Sequence, residues 1–224
     1  MIEQPLHQRL AVVEGTIDRE RMGLSIDRLV IATNVNDILA RTLATGTYDL
    51  REVVATSSPS MDIQVSSNFE RLLFEDTGCD GAVVRGLMAS LAQSGRFSLP
   101  TAALSQIRAQ FNAGRADEQE TAATIRTTLR ETSRLVDPHT AVGLAVAEKE
   151  ARDPATPMIV LGTAHPAKFP DAVEAACGVR PALPDWLSDL PERPERTTSM
   201  AVDQGALEKF ILAASRAARE GAAA

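Results

Sequence analysis

The segment Arg28-Leu29-Val30-Ile31-Ala32-Thr33-Asn34-Val35-Asn36-Asp37 decides the reading of the fold. Its first six residues form a short apolar run rich in β-branched side chains, the pattern of a strand buried on both faces. The next four carry side chains that favour turns and helix N-caps. Ile38, Leu39, Thr42 and Leu43 then recur at helical spacing until Gly46. The order is strand, polar turn, helix, and the chain repeats it at 157–178. There PMIVLGT reads as a second buried strand, Ala164-His165-Pro166 as a polar turn, and Pro170-Asp171 as the start of a helix that Gly178 closes. Ligands of open α/β sheets sit outside the carboxyl ends of the strands. The turns at 33–37 and 163–166 are therefore candidate walls of one ligand site, ordinary capping and turn chemistry being the other reading of the same residues.

Between these units the chain reads as mostly helical. Ser67 and Glu70 have capping-box spacing ahead of Phe69, Leu72 and Leu73. Leu104, Ile107 and Phe111 mark a helix stopped by Gly114, and Ala122, Ile125 and Leu129 mark another. Asp137-Pro138 opens a further helix, with a capping carboxylate, a proline at the first helical position, and Ala141, Val142, Ala145 and Val146 on its buried side. Leu6, Leu10, Val13 and Ile17 recur at roughly helical spacing in residues 1–21 without a convincing packed face. Pro181, Pro184, Pro191 and Pro194 make the stretch 181–200 a surface tether, after which Asp203 starts a last helix carrying Leu207, Phe210, Ile211 and Ala214. The expected fold class is α/β: a partial parallel sheet with helices on both faces and a helical middle segment. Two strands alone would leave apolar edges bare. Either strands are disguised, with Arg51-Glu52-Val53-Val54 a candidate, or the rest of the sheet lies outside this sequence, which is the expectation taken here.

Composition narrows the classes. With 44% hydrophobic and 24% charged residues over 224 positions, the chain can bury a core, which excludes general disorder. A net charge of −7 and only 4% aromatic residues argue against a phosphate-tracking or base-stacking surface, so no nucleic-acid partner is expected. Cys79 and Cys177 are far apart with no ligand at metal spacing and read as two reduced, partly buried thiols. No run approaches the ~20 apolar residues of a membrane span, and the first residues are not a signal peptide. A soluble, cytoplasmic chain without a membrane partner is expected. His139 and His165 lack a second ligand or base at useful spacing, and His165 before Pro166 reads as an orienting residue. No G-x-S-x-G, P-loop or G-x-G-x-x-G motif is present, which removes the commonest hydrolase, NTPase and dinucleotide readings.

The blocks MGL (22–24), SIDRLVIATNVNDIL (25–39), SPSMDIQVSSNFERLLF (58–74), DPHTAVG (137–143) and LGTAHPAKFPDAVE (161–174) closely resemble, in order and spacing, the C-terminal half of the threonine synthase family. A turn such as N-x-N-D is weak by itself, whereas SMDI…SSNFERL together with GTAHPAKF is specific. The resemblance covers roughly residues 20–190. It divides the chain into a divergent N-terminal segment (1–21), a threonine synthase-like α/β region (22–190), and a linker with a C-terminal helix (191–224).

What the resemblance implies is a pyridoxal-phosphate enzyme of fold type II, a lyase of threonine biosynthesis that converts O-phospho-L-homoserine and water into L-threonine and phosphate. Such a cofactor is an electron sink and requires no metal. By its place before A-H-P, Thr163 matches the family threonine that hydrogen-bonds the pyridine nitrogen. Asn34, Asn36, Asp37 and His165 fall in matching blocks as possible site-lining residues. The family's Schiff-base lysine motif and glycine-rich phosphate loop are absent. The three lysines are Lys149, Lys168 and Lys209, and none stands where the family's reactive lysine stands. No catalytic residue is therefore assigned within these residues, and the isolated chain is expected to be inactive and a doubtful holder of the cofactor. Its expected partners are O-phosphohomoserine and either a lysine-bearing N-terminal half or an intact enzyme. The alternative is a non-catalytic remnant acting by association.

Overall fold

The two apolar runs do lie in one parallel sheet, but they are not neighbours in it. In the computed structural model residues 9–11, 26–151 and 153–215 are described, and the chain divides into two units, Met1–Ala182 and Leu183–Ala224. The first unit contains β1 (Arg9–Ala11), β2 (Arg28–Thr33), α1 (Ile38–Thr45), β3 (Thr47–Asp49), α2 (Phe69–Asp76), α3 (Gly81–Ser94), β4 (Arg96–Ser98), α4 (Thr101–Gln110), β5 (Phe111–Arg115), α5 (Glu118–Thr132), α6 (Pro138–Lys149), β6 (Met158–Val160) and α7 (Pro170–Cys177). The sheet order is β5-β2-β1-β6, parallel throughout. Leu10 is in register with Leu29 on one side and Ile159 on the other. On the far side of β2, pairing runs from Leu29–Phe111 to Thr33–Arg115.

Alternation along β2 explains its wholly apolar sequence. Leu29 and Ile31 point into a core shared with α1, α2, α4, Tyr48 and Phe97, while Val30 and Ala32 point to the other face against Val142, Ala145 and Val146 of α6. Burying each such branched side chain is worth about 1.5–3 kcal/mol. A third cluster, Ile125, Ala141, Val173 and Ala176, ties α5, α6 and α7 together behind the sheet.

Several expectations are corrected. Two more strands come from within the chain, and Arg51-Glu52-Val53-Val54 is not one of them: that segment is irregular and exposed. One additional strand is β1, inside the segment read as having no packed face; the other residues of 1–21 lie outside the described residues. The second is β5. It follows α4 without a turn, so Phe111 begins a strand and Gly114 lies inside it instead of ending a helix. A Cβ at Gly114 would sit 2.7 Å from Val146 Cγ1, so the glycine is there to let α6 approach the sheet.

The capping box foreseen at Ser67 and Glu70 is not formed, because α2 starts at Phe69 and its N-cap Asn68 makes no side-chain capping bond. The capping box lies instead at the start of α5, where Asp117 Oδ1 accepts from Glu120 N and Glu120 Oε2 from Asp117 N, both at 2.9 Å. The antiparallel pair β3–β4 was also unforeseen. It brings Tyr48 against Phe97 and Phe69, with ring centroids 4.9 and 5.6 Å apart. Cys79 is exposed and not partly buried, while Cys177 is half-buried.

Among its described residues the second unit holds single 3-10 turns at Asp185–Leu187 and Leu190–Glu192 and one helix, α8 (Gln204–Ala214), capped by Asp203 through Ala206 N at 2.6 Å. Among the described residues no helix is long and apolar enough to cross a membrane, and no group of three or more His, Cys, Asp or Glu could hold a metal ion.

Candidate active-site cleft

A cleft of about 480 Å³ opens at the carboxyl end of β2 and beside the turn that follows β6. Thr33 and Asn36 line it from the first turn, and Leu161 and Thr163 line it from the second. Ser60, Met61 and Ile63 form a wall between them, and His139 and Gly143 of α6 close the back. The lining is mostly apolar with a few hydroxyl and amide groups, the usual make-up of a small-molecule site. The strand-turn-helix grammar thus does place both polar turns on one cleft.

The foreseen residues do not all face it. Asn36 does: its Nδ2 donates to Val54 O at 2.8 Å and Asp62 Oδ1 at 3.0 Å, and its Oδ1 accepts from Val54 N at 2.8 Å. Asn34 is buried behind it. Its Oδ1 accepts from Asn36 N at 2.8 Å, and its Nδ2 lies within donating distance of Asp62 Oδ1, Thr56 Oγ1 and Ser58 Oγ. Asp37 does not line the cleft and does not cap α1 with its side chain. It accepts from Arg41 Nε at 2.7 Å and from Arg115 Nη1 at 3.4 Å. These two asparagines therefore build the turn around Asp62, whose Oδ1 also accepts from Thr56 Oγ1 at 2.6 Å and whose Oδ2 accepts from Thr56 N at 2.8 Å.

Thr163 lies on the cleft with its side chain open to it. His165 is outside the lining and closes its own turn, its Nδ1 accepting from Ala167 N at 3.2 Å. No lysine is among the lining residues. Lys168 rests over Phe169, with Nζ 5.9 Å from the ring centroid. Lys149 pairs with Glu120 at 2.6 Å and donates to Arg115 O at 3.0 Å; its bond holds the Glu120 carboxyl below the usual range. Lys209 belongs to the second unit.

His139 was not foreseen in the cleft. Its ring is buried and packs against Phe169 with centroids 4.6 Å apart. Nδ1 lies 2.8 Å from Asp137 Oδ1, and Ser60 N donates to Nε2 at 3.2 Å. Asp137 also receives Thr140 Oγ1 and caps α6 through His139 N. Burial alone would push the Asp137 pKa up, but the bonds from His139 and Thr140 outweigh it and hold the carboxyl below its ordinary value. The available signal was the D-P-H-T order, which puts a histidine two residues after a capping carboxylate. The cleft can orient a flat apolar ligand and hydrogen-bond its edge. Among its lining residues there is no amine to bind a carbonyl covalently.

Comparison with known proteins places this geometry. A family model described as "Threonine synthase, C-terminal" matches residues 140–211. The threonine synthase of Pseudomonas aeruginosa is 42% identical over 191 residues, covering 85% of this chain and 41% of that protein. The crystal structure of PLP-bound threonine synthase from Brucella melitensis superposes with a TM-score of 0.84 at 52% identity, covering 93% of this chain and 46% of that one. Yeast threonine synthase gives 0.79 at 32% identity, covering 91% and 47%. The chain spans less than half the length of these relatives.

Proposed function

The chain belongs to the threonine synthase family, corresponding to its C-terminal part, and we propose on that footing that its cleft is one wall of a pyridoxal phosphate site. The reaction served is the conversion of O-phospho-L-homoserine and water into L-threonine and inorganic phosphate, in the cytoplasm. The single observation that carries this reading is that Thr163, after β6, shares one apolar cleft with the turn after β2.

The residues present fit one part of the cofactor. Ala32, Met61 and Leu161 offer apolar surface for a flat ring, and Thr163 offers a neutral hydroxyl for the edge of that ring. When bound, the cofactor supplies an electron sink for the carbanions formed as protons leave the substrate. A hydroxyl, unlike a carboxylate, would not force the ring nitrogen into its charged form, so Thr163 would moderate the electron withdrawal of a cofactor held there. Gly143 and Gly162 keep the neighbourhood small-sided: a Cβ on the first would lie 3.0 Å from Val160 Cγ1, and one on the second 3.6 Å from Thr140 Oγ1. The Asp62 cluster holds the wall in place. Lys149, Lys168 and Lys209 all lie outside the lining, so on this reading the reactive lysine and the cradle for the cofactor phosphate would come from a separate lysine-bearing N-terminal half.

Borohydride reduction of the 224-residue chain in the presence of pyridoxal phosphate, followed by peptide mass spectrometry, tests this division of labour. No stoichiometric adduct is expected on Lys149, Lys168 or Lys209, and no threonine is expected from phosphohomoserine. One fully labelled lysine accompanied by threonine production would overturn it.

A further inference from the structure

The wall that carries Ser60 and Met61 has no regular structure beyond the single 3-10 turn Pro59–Met61, so its place depends on a few tethers. At one end Asp62 binds Thr56, Asn34 and Asn36. At the other, Ser57 N donates to Glu118 Oε2 at 3.0 Å. Between them, Ser60 N donates to His139 Nε2 at 3.2 Å across 79 residues of sequence. A backbone N–H can only donate, so Nε2 is the bare nitrogen of a neutral ring and the proton is on Nδ1, where Asp137 Oδ1 accepts it at 2.8 Å. The lone pair that would make this ring a base is therefore occupied, although the Asp137–His139 pair has the look of an acid–base dyad.

We infer that His139 is a positioning residue: in its Nδ1–H tautomer it latches the Ser60–Met61 wall to the start of α6, and protonation of the ring releases that wall. An imidazolium carries donors on both nitrogens, so its Nε2–H would confront Ser60 N–H, donor against donor. One side has to move. The ring is held by Asp137 and by Phe169, whereas Ser60 sits in a single, isolated 3-10 turn, so the wall yields. The cleft would then widen on acidification at the wall facing Thr163. Of the charged groups on the elements packed here, Asp137 on α6 bonds the ring directly, Asp62 and Glu118 hold Thr56 and Ser57 of the wall, and Lys168 lies over Phe169, on which the ring packs. Titration of Asp62 or Glu118 would loosen Thr56 N or Ser57 N, which distinguishes their effect from that of His139 on Ser60 N.

The inference rests on the cleft's geometry and not on the proposed reaction, so its test needs no cofactor. In the 15N-labelled chain, which has just three histidines, imidazole nitrogen shifts report the tautomer and amide hydrogen exchange reports the tether. The Nδ1–H tautomer is expected for the neutral ring. Corrected for its intrinsic pH dependence, Ser60 exchange should speed up by about tenfold, the size of one lost hydrogen bond, in step with protonation of the His139 ring, while Thr56 and Ser57 exchange does not follow it. In His139→Gln, whose side-chain oxygen can replace Nε2 as acceptor, Ser60 should stay slow and insensitive to pH. In His139→Asn, which replaces only the Nδ1 donor, Ser60 should be fast throughout. An Nε2–H tautomer, or Ser60 protection that is flat while His139 titrates in the unmodified chain, would overturn the inference even if both variants fail to fold. So would equal loss in Gln and Asn variants that remain folded.

Discussion

Single side chains in this protein are set by what their neighbours leave unsatisfied. Asp76, at the end of α2, has a buried Oδ2 with no hydrogen-bond partner among the described residues. Burial, reinforced by the charge of Glu75, raises its pKa from 3.8 to about 6. A carboxyl with a raised folded pKa favours the fold fully below its unfolded pKa and loses that contribution as pH rises through the folded one. Asp76→Asn should therefore stabilise the protein above pH 6 by about 1 kcal/mol, allowing for solvent screening of a half-buried group. The gain should shrink on acidification and vanish below the unfolded pKa; urea melts at several pH values would read it, and an advantage that persists in acid would refute the assignment. Thr163 is a different case, because its side chain is open and contributes little to packing. In an enzyme completed by a lysine-bearing N-terminal half, Thr163→Ala should cost about ten- to a hundredfold in turnover without shifting the melting temperature, and Thr163→Ser should restore most of it. Unchanged turnover in the alanine variant would remove Thr163 from the site.

Elements here are legible from sequence where the local signal and the tertiary role agree. The helix α1 shows the agreement: Ile38, Leu39, Thr42 and Leu43 are its buried residues, and Gly46 ends it at φ 77°. Asp137, Pro138 and Gly178 mark helix ends in the same way. β5 shows the conflict. Asn112 and Gly114 are poor strand formers, and Ile107 and Phe111 lie at helical spacing across the junction between α4 and β5. Only the pairing with β2 and the approach of α6 make this segment a strand. Gly114→Ala would push its methyl against Val146, a buried β-branched side chain with little freedom to turn away, and should destabilise the first unit by about 1–3 kcal/mol. A melting temperature equal to the parent's would mean that α6 stands off from the sheet.

At the scale of the whole molecule, the buried apolar residues among those described all belong to the first unit, the last of them being Pro181. The stretch 194–203 of the second unit is exposed and irregular. The equally exposed stretch around Val54 differs, since its backbone is held by Asn36 and Asp62. Brief trypsin treatment should therefore cut first at Arg196, the bond after Arg193 being protected by Pro194, and leave a large N-terminal fragment, whereas early cleavage at Arg51 would show that the cleft wall is less well tethered than its hydrogen bonds indicate.

By itself the sequence determined the α/β class, the two strand runs, most helix ends, and the family whose C-terminal half it resembles. These depend on local spacing, on capping chemistry, or on long specific blocks such as GTAHPAKF, and all three survive without knowledge of distant contacts. Of the two runs read as buried only the first is so, since β6 is an edge strand and Met158, Ile159 and Val160 are only half-buried. The tertiary structure alone decided the strand order, the membership of β1 and β5, and the composition of the cleft. It turned Asn34 and Asp37 away from the cleft, left Asn36 and Thr163 on it, and brought in His139. Two of those outcomes hang on partners far away in sequence, Ser60 for His139 and Asp62 for Asn34, while Asp37 is turned by Arg41 four residues on, with Arg115 as a longer second contact. A side chain's direction follows from which distant donor or acceptor it must satisfy, and no local pattern encodes that.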